Sequence, residues 1–301
     1  MPLQTLAVII VSWNVRELLD RCLDSLQAEL TRSSVLAQVW VVDNASADNS
    51  AEMVRAKHPW VNLEPLNENR GFVGGNNHVL QRLLHRELPD FIWLLNPDTE
   101  VRPPALTTLL DFLNQHPRAG LIGPQLFNSD GSVQESAFRF PGLFQLFFEL
   151  ELLPSRFYHT WWNGRYSRYH YAKRRPFKID FPLGAAMLAR GTAIQQVGLL
   201  DKQFFMYCEE IDWAWRMREA GWQNWLVPAA EVVHHGGASS GQARPQTTAH
   251  LWESRARLYR KHHPRYIYQI ASALVRRYFA QRKPTSAAWE ETYARISAAW
   301  R

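Results

Sequence analysis

The sequence predicts an α/β fold: a mainly parallel sheet with helices on both faces, extended at its C-terminal end by further helices. Three observations predict it. Residues 5–123 alternate short apolar runs with stretches of helical periodicity, the order that builds a parallel sheet. Two acidic clusters directly follow apolar runs, so their carboxylates fall at strand C-terminal ends, the edge where open sheets bind ligands. Charge is also unevenly placed: residues 155–178 hold seven Arg/Lys, no Asp/Glu and eight aromatics, and residues 241–301 hold twelve Arg/Lys against three Glu.

The elements follow in order. Residues 5–11 form a buried strand ended by Ser12-Trp13-Asn14. Residues 15–30 are an amphipathic helix, with Leu18, Leu19, Cys22, Leu23, Leu26 and Leu30 at helical spacing. A strand over 39–42, a short helix over 50–57 and a strand over 62–66 come next. Residues 74–87 are helical, 91–95 a strand, and 104–115 a helix with Leu106, Leu109, Leu110 and Leu113 inward. Together they imply a Rossmann-like sheet. Beyond Gly120, Asn128-Ser129-Asp130-Gly131 is a turn between strands. Residues 181–189 read as one strand whose interior Gly184 marks a close approach. Residues 210–220 are a helix stopped at Gly221, 225–227 and 231–233 are short strands, and His234-His235-Gly236-Gly237 opens a loop. Residues 247–282 read as basic helices broken near Pro264.

The bulk numbers narrow the class. A chain of 301 residues with 46% apolar and 21% charged residues supports a sizeable core, which excludes a disordered protein. Two cysteines, Cys22 and Cys208, exclude a disulfide framework and read as small buried hydrophobes, which fits a reducing compartment. The opening Met1-Pro2-Leu3-Gln4-Thr5 lacks a basic leader, and no run reaches the roughly 18 apolar residues of a membrane span. Net charge is +6, yet outside the two basic stretches fifteen basic residues face twenty-five acidic ones. An acidic body with basic, aromatic attachments suits contact with an anionic surface or substrate.

Four clusters carry chemistry. Asp43, with Asn44 and Ser46 behind it, can accept from a nucleotide's base or ribose, or simply cap a helix. Asn67 to Asn77 combines Asn69, Arg70, Gly71, Gly74, Gly75 and Asn76, a backbone and a charge suited to phosphate, or a plain loop. In Asn96-Pro97-Asp98 one carboxylate at a strand end suits a divalent cation shared with diphosphate oxygens, or a turn. Glu209-Glu210-Ile211-Asp212 crowds three acids at a helix start among Tyr207, Trp213 and Trp215. The helix dipole favours acids there, and a desolvated or like-charge-coupled one makes a base near neutral pH. His234, before His235 and a Gly pair, can add an imidazole to the same metal.

These motifs, taken in order, resemble family 2 glycosyltransferases of the GT-A fold, in particular the rhamnosyltransferase-like branch. The resemblance covers residues 5–240. Its carriers are Val11-Ser12-Trp13-Asn14, Val42-Asp43-Asn44-Ala45-Ser46, Asn69-Arg70-Gly71-Phe72 with Gly75-Asn76, Leu95-Asn96-Pro97-Asp98, residues 205–216, and His234 before Gly236-Gly237. It implies an inverting, metal-dependent transfer from a dTDP-, UDP- or GDP-linked sugar to a hydroxyl of a glycan or lipid-linked acceptor in cell-surface polysaccharide synthesis, with rhamnose as the leading sugar. It implies that Asn14, Asp43, Asn69, Arg70, Gly71, Asn76 and Asn96 form the donor site, that Asp98 and His234 hold Mg²⁺ or Mn²⁺, and that Glu210 is the base with Glu209 in contention. Two departures stand out: Glu210 replaces a more usual Asp, and Asn96 replaces the first acid of an Asp-x-Asp.

The expected organisation is a catalytic unit over 1–240, with an aromatic and basic insertion at about 142–178, and a basic helical extension over 241–301. Tyr158, Trp161, Trp162, Tyr166, Tyr169 and Tyr171 among arginines, and Leu258, Tyr259, Tyr266, Ile270, Leu274 and Phe279 further on, suit an anionic membrane interface. The expected location is peripheral, at the cytoplasmic face of the plasma membrane, with no nucleic acid as partner. A nucleotidyltransferase would want a basic Gly-rich signature where Trp13-Asn14-Val15-Arg16 stands. The alternative is a nucleic-acid- or membrane-binding protein on a catalytically inactive GT-A fold.

Overall fold

The structure, a computed structural model, describes residues 3–86, 88–236 and 244–301. In chain order the elements are β1 (Thr5–Ser12), α1 (Arg16–Leu30), β2 (Leu36–Asp43), α2 (Ser50–Lys57), β3 (Asn62–Pro65), α3 (Gly71–His85), β4 (Phe91–Leu95), β5 (Thr99–Arg102), α4 (Ala105–Gln115) and β6 (Ala119–Phe127). They continue with β7 (Val133–Gln134), β8 (Ala137–Phe138), α5 (Leu143–Glu149), α6 (Arg168–Ala172), β9 (Phe177–Ile179), β10 (Phe181–Pro182), β11 (Ala186–Arg190), α7 (Gly191–Val197), α8 (Glu209–Glu219), β12 (Gln223–His234), α9 (Arg244–His262), α10 (Arg265–Gln281) and α11 (Ala287–Ala299). The helix end expected at Glu87, the Gly237 of the loop and the boundary at 240–241 lie outside the described residues.

The main sheet runs β3-β2-β1-β4-β11-β6-β12-β5. From β3 to β4 all neighbours are parallel, and β6 and β12 run the same way. β11 is reversed between β4 and β6, and β5 is reversed at the edge. Alternation along β1 explains why both faces are covered. Leu6, Val8 and Ile10 pack with Leu19, Leu23 and Leu26 of α1 and Leu106, Leu109 and Leu113 of α4. Ala7 and Ile9 pack with Val79, Leu80 and Leu83 of α3 and with Trp213, Ala214 and Met217 of α8.

Three expected elements differ. The strand over 181–189 is two: β10 pairs with β8, and after Leu183-Gly184-Ala185 the chain re-enters the main sheet as β11. Pro182 has no N–H to continue a ladder, and Gly184 supplies the bend. The two short strands over 225–233 are one, β12, whose pairing to β6 shifts register between Val227 and Glu231. Pro228 interrupts the ladder there and the strand resumes beyond it. The helix expected from Gly74 begins at Gly71, whose φ of +69° suits glycine.

The C-terminal helices carry a separate cluster in which Trp252, Ala256 and Tyr259 of α9 meet Ala271, Val275 and Phe279 of α10, Ile296 and Trp300 at α11, and Leu146 of α5. Much of the apolar face expected for a membrane is therefore spent on internal packing: Leu258, Tyr259 and Phe279 are buried, and Tyr266 and Ile270 stay exposed. In the aromatic insertion Tyr171 is buried and its hydroxyl oxygen accepts the N–H groups of Ser136 and Ala137, whereas Tyr158, Trp161, Trp162 and Tyr169 face solvent.

A carboxylate cleft at the C-terminal edge of the sheet

Beyond the C-terminal ends of β1, β2 and β4 lies a cleft of about 300 Å³. The structure brings Asn69, Gly71, Asn96, Asp98, Glu209, Glu210 and His234 to its walls, together with Ser12, Trp13, Asn44, Gly184 and Tyr207, for which the sequence alone indicates no ligand-binding role. Asp43 sits directly beside lining residue Asn44. Its Oδ2 accepts the Ser46 N–H at 3.2 Å, and its Oδ1 is buried without a protein partner. Asn14 has φ of +53° and its Oδ1 accepts from Ala47, so it braces the turns after β1 and β2 rather than lining the cleft. Asn76 is buried, with its amide donating to the Phe72 carbonyl. Arg70 is directed into a neighbouring cavity instead of this one.

Asn44 fixes the shape of this edge. Its backbone N–H bonds the Ser12 carbonyl at 2.8 Å, its Nδ2 donates to the Gly71 carbonyl at 3.0 Å, and its Oδ1 accepts from Arg70 N–H at 3.3 Å. One amide thereby ties the ends of β1 and β2 to the start of α3. Gly71 has no spare room: a Cβ there would lie 2.3 Å from the Phe205 carbonyl oxygen.

Asp98 and His234 meet because β12 pairs with β5, setting His234 opposite Thr99. Asp98 Oδ1 then lies 3.4 Å from His234 Nε2, both side chains largely buried. Gln134 determines which imidazole nitrogen faces the acid. Its Nε2 donates to Asn128 Oδ1 at 2.8 Å, so its Oε1 is the atom 2.8 Å from His234 Nδ1, which must be the donor. Asn128 is oriented in turn by donating to Ser132 Oγ, which donates to Asp130. In the neutral ring Nε2 is left with its lone pair toward a carboxylate oxygen. An oxygen and a nitrogen donor facing one another in a buried place, with the outer nitrogen held by an amide, could hold a divalent cation. His235 points elsewhere, bonding Glu100 and Ser129 at 2.8 Å each.

The three acids of α8 have separate fates. Tyr207 and Cys208 precede the helix with φ of +68° and +64°, a left-handed step that non-glycine residues rarely take. Glu209 is buried and Glu210 half-buried, and each keeps one carboxylate oxygen buried without a hydrogen-bond partner. Burial pushes the Glu210 carboxyl up to about 7, and burial together with Glu210's charge pushes Glu209 well above the usual carboxylate range. Gly184 lies over Glu210, so that a Cβ there would stand 3.7 Å from its side chain, in ordinary contact. This is the close approach that the interior glycine signals.

Asp212 is wholly buried and bonded to Arg216 at 2.8 Å and to Lys261 and His262 at 2.7 Å each. Burial would raise its pKa, but the hydrogen bonds from His262 and Lys261 and the charge of Arg216 outweigh it and hold the carboxyl at about 2. Among the described residues, Asp20, Asp24 and His58 also come close enough to share a cation, but these sit at α1 and after α2, outside the cleft lining, and Lys57 already binds Asp20.

A parallel sheet whose C-terminal edge gathers a carboxylate-imidazole pair and two dry glutamates is the architecture of a GT-A glycosyltransferase. Two solved structures share it: GalNAc-T7 with UDP, GalNAc and Mn²⁺ (TM-score 0.63, 15% identity, 99% of this chain and 55% of that one) and the mannosyltransferase PcManGT of Pyrobaculum calidifontis with GDP-Man and Mn²⁺ (TM-score 0.58, 16% identity, 99% and 86%). At such identity they show the fold alone, and the chain spans about half of GalNAc-T7. The family model for glycosyl transferase family 2 matches residues 7–198, and the chain belongs to that family. It is 31% identical over 244 residues to the N-acetylglucosaminyl-diphospho-decaprenol L-rhamnosyltransferase of Mycobacterium tuberculosis, covering 79% of this chain and 78% of the relative. It is 25% identical over 234 residues to a low-salt glycan biosynthesis hexosyltransferase of Haloferax volcanii, covering 77% and 68%. The protein is a family 2 glycosyltransferase of rhamnosyltransferase-like type.

Asp212→Asn is expected to destabilise the fold by about 3–5 kcal/mol, since it breaks a buried charge cluster. The carboxyl is depressed from its ordinary 3.8 to about 2, so its contribution is present above 3.8 and lost as pH falls from 3.8 toward 2. Urea unfolding should therefore show a wild-type advantage at pH 7 that shrinks as pH falls through that window.

Proposed function

We propose that this enzyme moves a hexose, rhamnose first among candidates, from a dTDP-, UDP- or GDP-linked donor to a hydroxyl of a lipid-linked diphosphate glycan, with inversion. The observation that carries this reading is the set of buried polar atoms without protein partners at one place: Ser12 Oγ, Asp43 Oδ1, Glu209 Oε2 and Glu210 Oε2. Buried polar groups are nearly always satisfied, so four orphans around one cleft mark where a polar ligand seats. The name of the mycobacterial relative supplies the sugar and the acceptor class.

Asp98 and His234 would hold a divalent cation, Mg²⁺ or Mn²⁺, which when bound supplies positive charge against the donor's diphosphate. Asp43, Asn69 and Asn96 offer polar atoms for the nucleotide, and the backbone at Gly71 allows close approach. Glu210 takes the proton of the acceptor hydroxyl as its oxygen bonds the anomeric carbon and the bond to the diphosphate oxygen breaks on the opposite face. Burial raises both carboxyls, and the charge of Glu210 raises Glu209 further, which suits the pair to proton transfer.

The exposed Trp161, Trp162 and Tyr169, set among Arg165, Arg168, Lys173 and Arg174, favour a membrane surface as the place where a lipid-linked acceptor is met. No described helix is long and apolar enough to cross a membrane.

Glu210→Gln should lower turnover roughly 10²–10⁴-fold with nucleotide affinity retained by calorimetry. In the parent enzyme the rate should rise with pH and level off above about 7, as the base loses its proton. Loss of nucleotide binding in Glu210→Gln, or a flat pH profile, would sink this assignment. Gln134→Leu should weaken Mn²⁺ binding about 10–100-fold in an electron paramagnetic resonance titration, because the imidazole loses its orienting acceptor. Trp161→Ala with Trp162→Ala should abolish flotation with anionic liposomes at low salt; flotation equal to the parent's would remove the membrane from the proposal.

A further inference from the structure

Arg70, expected at the donor diphosphate, opens instead into a second cavity of about 470 Å³ between α3 and α9, closed over by residues 202–205. Its direction is built into the helix. Gly74 lies one turn on, and a Cβ there would stand 2.6 Å from Arg70 Cβ, so the glycine lets the arginine stem lie along the surface of α3. Lys202 and Arg257 line the same cavity, and neither makes a hydrogen bond or ion pair among the described residues. Among the described residues the Arg70 side chain has one ion-pair partner, Glu68, in an exposed pair at 3.2 Å that solvent weakens. The single carboxylate of the lining, Glu253, is already claimed by Arg295 of α11 through two bonds of 2.9 and 3.1 Å. His250 stacks on Phe205 at 4.7 Å, and burial, then Arg295 and Arg257, hold its pKa below the ordinary value. The cavity therefore presents three cations to a space whose one lining acid is already paired from behind.

This cavity and the carboxylate cleft share one wall. Asn69, Gly71 and Phe72 face the cleft while Arg70 faces the cavity; Met206 and Tyr207 face the cleft while Phe204 and Phe205 face the cavity. The two stretches touch backbone to backbone, Val73 N–H reaching the Phe205 carbonyl at 3.5 Å. The stretch that closes the cavity runs straight on to Glu209 and Glu210. The donor's diphosphate belongs with Asp98 and His234, on the other side of that wall. A second diphosphate, on the acceptor, is the anion whose attached sugar could reach over the wall to Glu210.

We infer that the cavity between α3 and α9 seats the diphosphate of the acceptor, held by Arg70, Lys202 and Arg257. This rests on the acceptor class proposed above. The test uses the full chain with Lys202→Gln and Arg257→Gln, two substitutions at solvent-accessible side chains, each checked for an unchanged melting temperature. Transfer is measured to a water-soluble short-chain prenyl diphosphosugar and to an alkyl glycoside of the same sugar without phosphate. Each variant should raise KM for the diphosphate acceptor at least tenfold, with KM for the alkyl glycoside and the nucleotide Kd unchanged. Equal changes for both acceptors, or no change, overturn the inference. In a second arm, inorganic pyrophosphate is titrated by calorimetry in EDTA, which silences the Asp98–His234 site. Binding weakened at least tenfold in both variants supports the cavity as an anion seat even if the parent transfers no sugar, a result that would count against the proposed function alone. Absent or variant-insensitive pyrophosphate binding overturns it. Tighter variant-sensitive binding of free dTDP or UDP than of pyrophosphate in EDTA also overturns it, by making the cavity a nucleotide site.

Discussion

The site depends on how charge is divided along the first turn of α8. Three acids fall within four residues, and among the described residues the nearby basic side chains all go to one of them. Asp212 binds Arg216, Lys261 and His262, while Glu209 and Glu210 bind none. Had a cation reached the glutamates, their pKa values would fall and the basicity needed near neutral pH would vanish. The same cluster also holds the molecule together. Arg216 bonds the carbonyls of Val197 and Leu199, and Lys261 and His262 bring the end of α9 against α8. One buried carboxylate thereby secures the helix on which two uncompensated ones can be kept dry.

That dryness has a local cost and a local cause. The left-handed pair Tyr207 and Cys208 turns the chain sharply into α8. Gly184 and Leu183 cover Glu210 from the break between β10 and β11. The crossover is held in register by Asn96, whose N–H bonds the Ala185 carbonyl at 2.8 Å and so ties the loop bearing Asp98 to the segment over Glu210. Two acidic parts of the cleft, drawn from distant parts of the sequence, are thereby positioned by a shared backbone contact.

Much of this architecture is legible in the amino-acid sequence. Apolar runs bounded by polar turns locate β1, β2 and β4, and helical spacing locates α1, α2 and α4, because these elements are buried on the faces their periodicity declares. A strand end marks Asp98, and a crowded helix start marks the α8 acids. Other features have no local signature. Gln134 acts through a chain of amide orientations spanning Asp130 to His234, and only the pairing of β7 and of β12 with β6 brings these together. Arg70 reads as a donor-site residue because its neighbours Asn69 and Gly71 belong there, but a change of one residue at a helix start reverses the direction of a side chain. The division of 181–189, and the fusion of 225–227 with 231–233, turn on Pro182 and Pro228, whose effect depends on which neighbour the missing N–H would have met.

β12 reaches across the fold: it pairs with β6, β5 and β9, and its last residue is His234. Around its end the chain meets residues far earlier in the sequence, as in the contact of His235 with Glu100, 135 positions away. The cleft wall that carries His234, and the strands β5 and β9 that pair with β12, therefore wait for residues 223–234. Long-range strand pairing is slow, because loop closure precedes its reward. The strand that completes the sheet between β6 and β5 is thus the same one that completes the cleft.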